Sequence, residues 1–165
     1  MMSRGKRNLI LNIYFLVTAA FIVTADQVTK NMIIQRLPES SSIEVIPGIL
    51  SITHIRNTGA AFGLFQGYTG VLTVISIIAI FLIIILKSIL NLNSAFYNIC
   101  LGFVLGGALG NLIDRFFVGE VTDFINIKFI PVFNIADFSI LTGFSLIIIL
   151  IIREYIKKGK TEGVG

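Results

Sequence analysis

Apolar residues are gathered into four long runs, at residues 9–25, 68–86, 95–113 and 135–152, separated by two polar stretches and one short connection. Only the last run contains a charge, Asp137, close to its start. A bilayer hydrocarbon core of about 30 Å is crossed by about 20 apolar residues in a helix, so each run is long enough to span it. The pattern predicts an all-α membrane protein of four transmembrane helices. Between the first two spans, residues 43–55 alternate β-branched and other residues around Pro47-Gly48, which predicts a short hairpin and a small β-containing extracytoplasmic segment.

Composition agrees. The 165 residues are 55% hydrophobic and 13% charged, with a mean hydropathy of +0.92, whereas soluble domains carry about 25% charged residues. One membrane domain, 1–165, accounts for the length. The net charge of +4 has no basic stripe interleaved with aromatics, so no nucleic-acid partner is expected.

The excess positive charge reads as topology. Arg4, Lys6, Arg7, Lys87, Arg153, Lys157, Lys158 and Lys160 lie at the termini and in the second connection, with Glu154 and Glu162 as the only acids. Residues 26–67 and 114–134, together with Asp137, hold seven of the nine acids and five bases. Lys and Arg stay on the cytoplasmic side, so both termini are expected there and the acidic segments outside. A cleavable signal peptide ending at Val23-Thr24-Ala25 fits less well, because the apolar run exceeds the usual core of about 7 to 15 residues.

Ionisable groups near spans are costly and therefore functional suspects. Asp26 and Lys30 close the first span, Asn111, Asp114 and Arg115 the third, and Asn134 and Asp137 open the fourth. All these ends fall on the outer face, with Asp123 in the connection between spans three and four. Each also has a structural reading. Asp26 and Lys30 stand i, i+4 as a helix-surface ion pair. Asn134 and Asp137 resemble an N-cap with a carboxylate at the third helical position. Asp114 beside Arg115 reads as an ion pair. Gly102, Gly106 and Gly110 form a small-residue face for close helix packing, and Gly107, Asn111 and Asp114 follow on an adjacent face that turns polar groups inward.

The chemistry is narrowed by what is missing. His54 is the only histidine and Cys100 lies in mid-span, so neither a Ser–His or Cys–His pair nor a metal cluster is expected. Gly106 to Gly110 sits in an apolar helix, the wrong setting for a nucleotide loop. Carboxylates remain, and two sharing a site split their affinities so that one holds a proton while the other activates water. Asp114, Asp123 and Asp137 compete for two places. The adjacent Arg115 inclines Asp114 to a structural role, but the residues alone leave the pair open. A proton or cation transporter is the rival reading, although it calls for acids spread across the membrane depth. A non-catalytic scaffold is another.

Five blocks in order resemble one family: Asp26-Gln27-Val28-Thr29-Lys30, Arg56-Asn57-Thr58-Gly59-Ala60-Ala61-Phe62, the segment from Gly106-Gly107 to Asp114-Arg115, Val121-Thr122-Asp123-Phe124, and Phe133-Asn134-Ile135-Ala136-Asp137. Across nearly its whole length the chain resembles the lipoprotein signal peptidases, or signal peptidase II. That resemblance implies an aspartic endopeptidase of the bacterial plasma membrane, needing no cofactor. Its partner would be a diacylglyceryl-prolipoprotein, cut before the lipidated cysteine on the outer face. It carries the catalytic pair onto Asp123 and Asp137, substrate-orienting roles onto Asn57, Asn111, Arg115 and Asn134, and supporting roles onto Asp26, Lys30 and Asp114. A monomer in contact with membrane lipid, sensitive to globomycin, is expected on the same basis.

Overall fold

The computed structural model describes residues 3–60, 64–89 and 93–162. Four helices and three strands follow in the order α1 (Arg4–Arg36), β1 (Ser42–Ile46), β2 (Leu50–Asn57), α2 (Thr69–Ile89), α3 (Ala95–Phe117), β3 (Val121–Ile127) and α4 (Ile135–Glu162). All four helices are long and apolar enough to cross a membrane. Ala61 and Phe62 of the second sequence block lie outside the described residues.

The helices overrun the expected spans. α1 continues through Asp26 and Lys30 to Arg36, making 33 residues, or about 50 Å at 1.5 Å per residue. Polarity ends a membrane span but does not end a helix. What stops α1 is Pro38, which disfavours helical geometry in the residue before it; Leu37 is extended, at φ −124° and ψ 119°. Asp26 and Lys30 therefore ride on a rigid extension of the first span.

The buried residues of α1, namely Leu11, Phe15, Ala19, Ile22, Asp26 and Lys30, recur every three or four positions and form one stripe. That stripe faces α3, the central helix, against which α1, α2 and α4 all pack. The glycine face predicted on α3 makes the approach possible. A Cβ at Gly106 would stand 2.7 Å from both the Ala19 carbonyl oxygen and the Ile22 Cβ. Gly102 meets Phe15 and Thr18 in the same way, whereas Gly107 backs onto Ala136 and Ile140 of α4. Without strong hydrophobic drive between helices in lipid, such close contact supplies the packing energy.

The three strands form an antiparallel sheet in the order β1-β2-β3. The hairpin expected around Pro47-Gly48 is present, with Ile43 opposite Ile52 and Ser42 opposite Thr53. The third strand comes from the connection between α3 and α4. Its residues Thr122 and Asp123 pair with Arg56 and Ile55. α3 is terminated two residues past Phe117 by Gly119, whose φ of 88° lets its amide turn back to the Asp114 carbonyl at 3.1 Å. Val121 to Phe124, the first four residues of β3, are buried.

Candidate active site

The acids and amides singled out in the sequence converge where α1 continues beyond its apolar run, α3 ends, α4 begins and β3 crosses above them. Asp123 is brought in by β3 and is 3% exposed. Its two oxygens accept from the side-chain amides of Asn57, at 2.8 Å, and Asn134, at 2.7 Å. Burial, followed by the neighbouring Asp137 carboxylate, pushes the Asp123 carboxyl up to about 7 against the opposing pull of the Asn57 and Asn134 hydrogen bonds.

Asp137 stands at the third position of α4, and the predicted cap is reciprocal. Its amide donates to Asn134 Oδ1 at 2.9 Å, while its carboxylate accepts from the Asn134 amide at 3.3 Å. The other carboxylate oxygen accepts from Asn111 Nδ2 at 2.7 Å. Asn134 Nδ2 also donates to Asn111 Oδ1, at 3.1 Å. Asp123, Asn134, Asn111 and Asp137 thus form one connected chain of hydrogen bonds. Both asparagines have their amide groups fixed, which orients the two carboxylates.

Asp114 belongs to a different cluster, and its expected partner is corrected. Its carboxylate is paired with Lys30 at 2.7 Å and accepts from Gln27 at 2.8 Å. Arg115 instead donates to the Gly59 carbonyl at 3.3 Å. Consecutive helical residues point about 100° apart, so Asp114 faces α1 while Arg115 turns toward the strand end. From there its guanidinium acts electrostatically on Asp137, Asp123 and Asp114.

Lys30 is the hub of this second cluster. It is 3% exposed and bridges Asp114, Asp26 at 2.7 Å and Asn111 Oδ1 at 3.1 Å. The i, i+4 pair predicted on α1 is therefore a buried tripartite junction. Asp26 also accepts from the Ala136 amide at 2.9 Å, satisfying an otherwise orphaned donor at the start of α4. Gln27 is the participant that sequence reasoning missed. It donates to Asp114 and reaches the Gly110 carbonyl at 3.2 Å, yet its only signal was its place between Asp26 and Lys30.

Outside this core, Arg56 joins Glu39, at 3.0 Å, to Glu120, pinning the sheet to the ends of α1 and α3. His54 is buried and its Nδ1 lies 2.8 Å from the Leu37 carbonyl. Among the described residues, no three His, Cys, Asp or Glu side chains gather as a potential metal site.

The signal peptidase (SPase) II family matches residues 18–153. The chain belongs to the signal peptidase II family. Its relatives include the lipoprotein signal peptidases of Enterococcus faecalis, 39% identical over 93% of this chain and 95% of that one, and of Staphylococcus aureus, 40% identical over 87% and 91%. That of Listeria welshimeri is 35% identical over 92% of this chain and 98% of its own. A solved bacterial membrane enzyme superposes with a TM-score of 0.83 at 37% identity, covering 87% of this chain and 90% of that structure. A second reaches a TM-score of 0.76 at 38% identity, covering 83% and 91%. As a signal peptidase II family member the chain is a membrane protease, and the conjunction of α3, α4 and β3 is its candidate reaction centre.

Proposed function

We propose that this protein is the aspartic endopeptidase that removes signal peptides from diacylglyceryl-modified prolipoproteins, cutting before the lipidated cysteine, with Asp123 and Asp137 as its catalytic pair. One observation carries the choice of pair. Asp123 and Asp137 are joined through Asn134 and Asn111, whereas Asp114 is ion-paired with Lys30. Family membership and the lipoprotein signal peptidases among the relatives support the substrate.

In this reading Asp123, with its raised pKa of about 7, holds the proton and Asp137 serves as the base toward water. Asp137 takes a proton from water as the water oxygen bonds to the scissile carbonyl carbon. Asp123 gives its proton to the carbonyl oxygen, forming a neutral gem-diol. As the C–N bond breaks, Asp137 passes its proton to the departing nitrogen and Asp123 recovers one from a diol hydroxyl. Both carboxyls end as they began.

Asn111 and Asn134 hold the carboxylates in register. Asn57 and Arg115, at the rim beside Gly59, are suited to orient the substrate backbone. Asp26, Lys30 and Asp114 support the junction underneath. The basic termini and the acidic outer segments support cytoplasmic ends and an extracytoplasmic site. The protein acts as a monomer that meets its lipidated substrate within the bilayer, and globomycin is expected to inhibit it. The four aspartates at one end of the bundle disfavour a transmembrane relay.

The test is cleavage of a lipidated precursor by purified Asp123→Asn, Asp137→Asn and Asp114→Asn proteins, with thermal unfolding in parallel. Asp123→Asn and Asp137→Asn should fold and fail to cleave, while Asp114→Asn should unfold earlier and retain turnover in its folded fraction. Cleavage by either folded variant of the pair would remove that residue from the mechanism.

A further inference from the structure

A cavity of about 410 Å³ lies between α1 and α2 at the end of the bundle away from the aspartates. Its size falls within the range of about 300–1,000 Å³ typical of ligand sites. Asn12 on its wall is 18 residues before Lys30 on α1, about 27 Å along the helix. Asn8 precedes the apolar run that starts at Leu9 and Lys87 follows the one that ends at Leu86, so the cavity lies at the far ends of both spans, beside the headgroups of the opposite leaflet.

The lining selects a charge. Asn8, Asn12, Lys87 and Ser88 offer hydrogen-bond donors, and no Asp or Glu is among the lining residues. Lys87, in the last turn of α2, donates to Asn12 Oδ1 at 2.8 Å and stands 5.0 Å from the centre of the Phe15 ring. Both partners are uncharged. Among the described residues no carboxylate makes a salt bridge with it, so no acid of this protein competes for its ammonium donors. Leu11, Phe15, Leu16 and Ile84 form the apolar part of the wall, and exposed Leu16 and Ile84 continue it into the lipid-facing surface. A polar, cationic pocket with an apolar exit to the membrane fits an amphiphile.

We propose that the Lys87 cavity is a binding site for the phosphodiester headgroup of an anionic phospholipid, whose acyl chains run along the crevice between α1 and α2. The lipid fills space between two helices that otherwise make little contact with each other and bridges α2, which packs on α3, to α1. The site lies apart from the aspartates, so this inference and the peptidase reading can fail separately.

Native mass spectrometry of the full chain, loaded with matched-chain phosphatidylglycerol or phosphatidylcholine, tests it. One phosphatidylglycerol should be retained about tenfold better than phosphatidylcholine, because both carry the phosphodiester but the choline ammonium cancels its charge and is repelled by Lys87. Lys87→Gln should bring that ratio close to unity, Lys87→Arg should restore it, and precursor cleavage should be unchanged in both. Asn12→Leu supplies an independent variant in which the preference should fall by several-fold. A ratio unaffected by Lys87→Gln and Asn12→Leu would overturn the site. So would a ratio that collapses when Arg4, Lys6 and Arg7 are all changed to Gln, since attraction to the basic tail would then suffice. Displacement of the lipid by inorganic phosphate alone, with equal thermal stabilisation, would assign the pocket to a free anion and overturn the lipid.

Discussion

Asp26 on α1 caps the first turn of α4 from 110 residues away in sequence, accepting the Ala136 amide at 2.9 Å while its other oxygen holds Lys30. Since Asp137 follows Ala136, the carboxylate on α1 sets the position of a carboxylate on α4. Asp26→Asn keeps an acceptor for Ala136 but removes one of the two charges that compensate Lys30. Because Asp114 remains to pair Lys30, no buried charge is left uncompensated, and the loss should be about 1.5 kcal/mol, that of one hydrogen bond to a charged group. Thermal unfolding in detergent checks it, and Asp26→Ala should fall by about 1 kcal/mol more as the cap is lost.

The protonation of Asp123 gives a stability prediction. Its folded pKa of about 7 exceeds the ordinary 3.8, through burial first and Asp137 second. A raised folded pKa means that the folded state favours the proton. The associated stability is complete below about pH 4 and is lost as pH rises through about 7. The wild-type melting temperature should therefore decline between about pH 4 and about pH 7 and level off above, and Asp123→Asn should flatten that decline.

Activity should follow the same group. With Asp123 as the acid, turnover falls as pH rises through about 7. Asn57 donates to Asp123 at 2.8 Å and so favours the ionised form. Asn57→Ala should move the alkaline limb of the kcat profile upward by about one pH unit, the equivalent of one hydrogen bond to a charged group. An unmoved limb would assign it to another group.

Helix packing predicts a contrast between two glycines. Gly106→Ala forces a methyl against Ala19 and Ile22 at 2.7 Å, and overpacking of this kind costs about 1–3 kcal/mol. Gly70 in α2 has nothing within 4 Å of its Cβ position, so Gly70→Ala should be neutral or mildly stabilising. Unfolding midpoints of the two purified variants, measured side by side, check the difference.

The parts of the fold legible in the sequence were those set by short-range periodicity. Apolar runs marked the four spans, the spacing of Gly102 and Gly106 marked the helix seam, and Asn134 with Asp137 marked a reciprocal cap. The extension of α1 was hidden because polarity ends a span without ending a helix. β3 was missed because Val121 to Ile127 is short, and its strand character is completed by pairing with β2, 66 residues away for Asn57 and Asp123. Asp114 was given the wrong partner because adjacency in sequence is not adjacency on a helix. The bridge from Asn111 to Asn134 crosses 23 residues, a relation that no local pattern encodes.

The two carboxylates of the proposed pair belong to separate pieces of architecture. Asp137 is fixed to the helical bundle, and Asp123 is carried by a strand of the small sheet above it. The proposed reaction centre therefore lies at the seam between two elements rather than within one of them. A displacement of about 1 Å between reacting groups costs on the order of a hundredfold in rate. A compound that wedges the sheet away from the bundle would silence the enzyme without resembling its substrate or touching either acid.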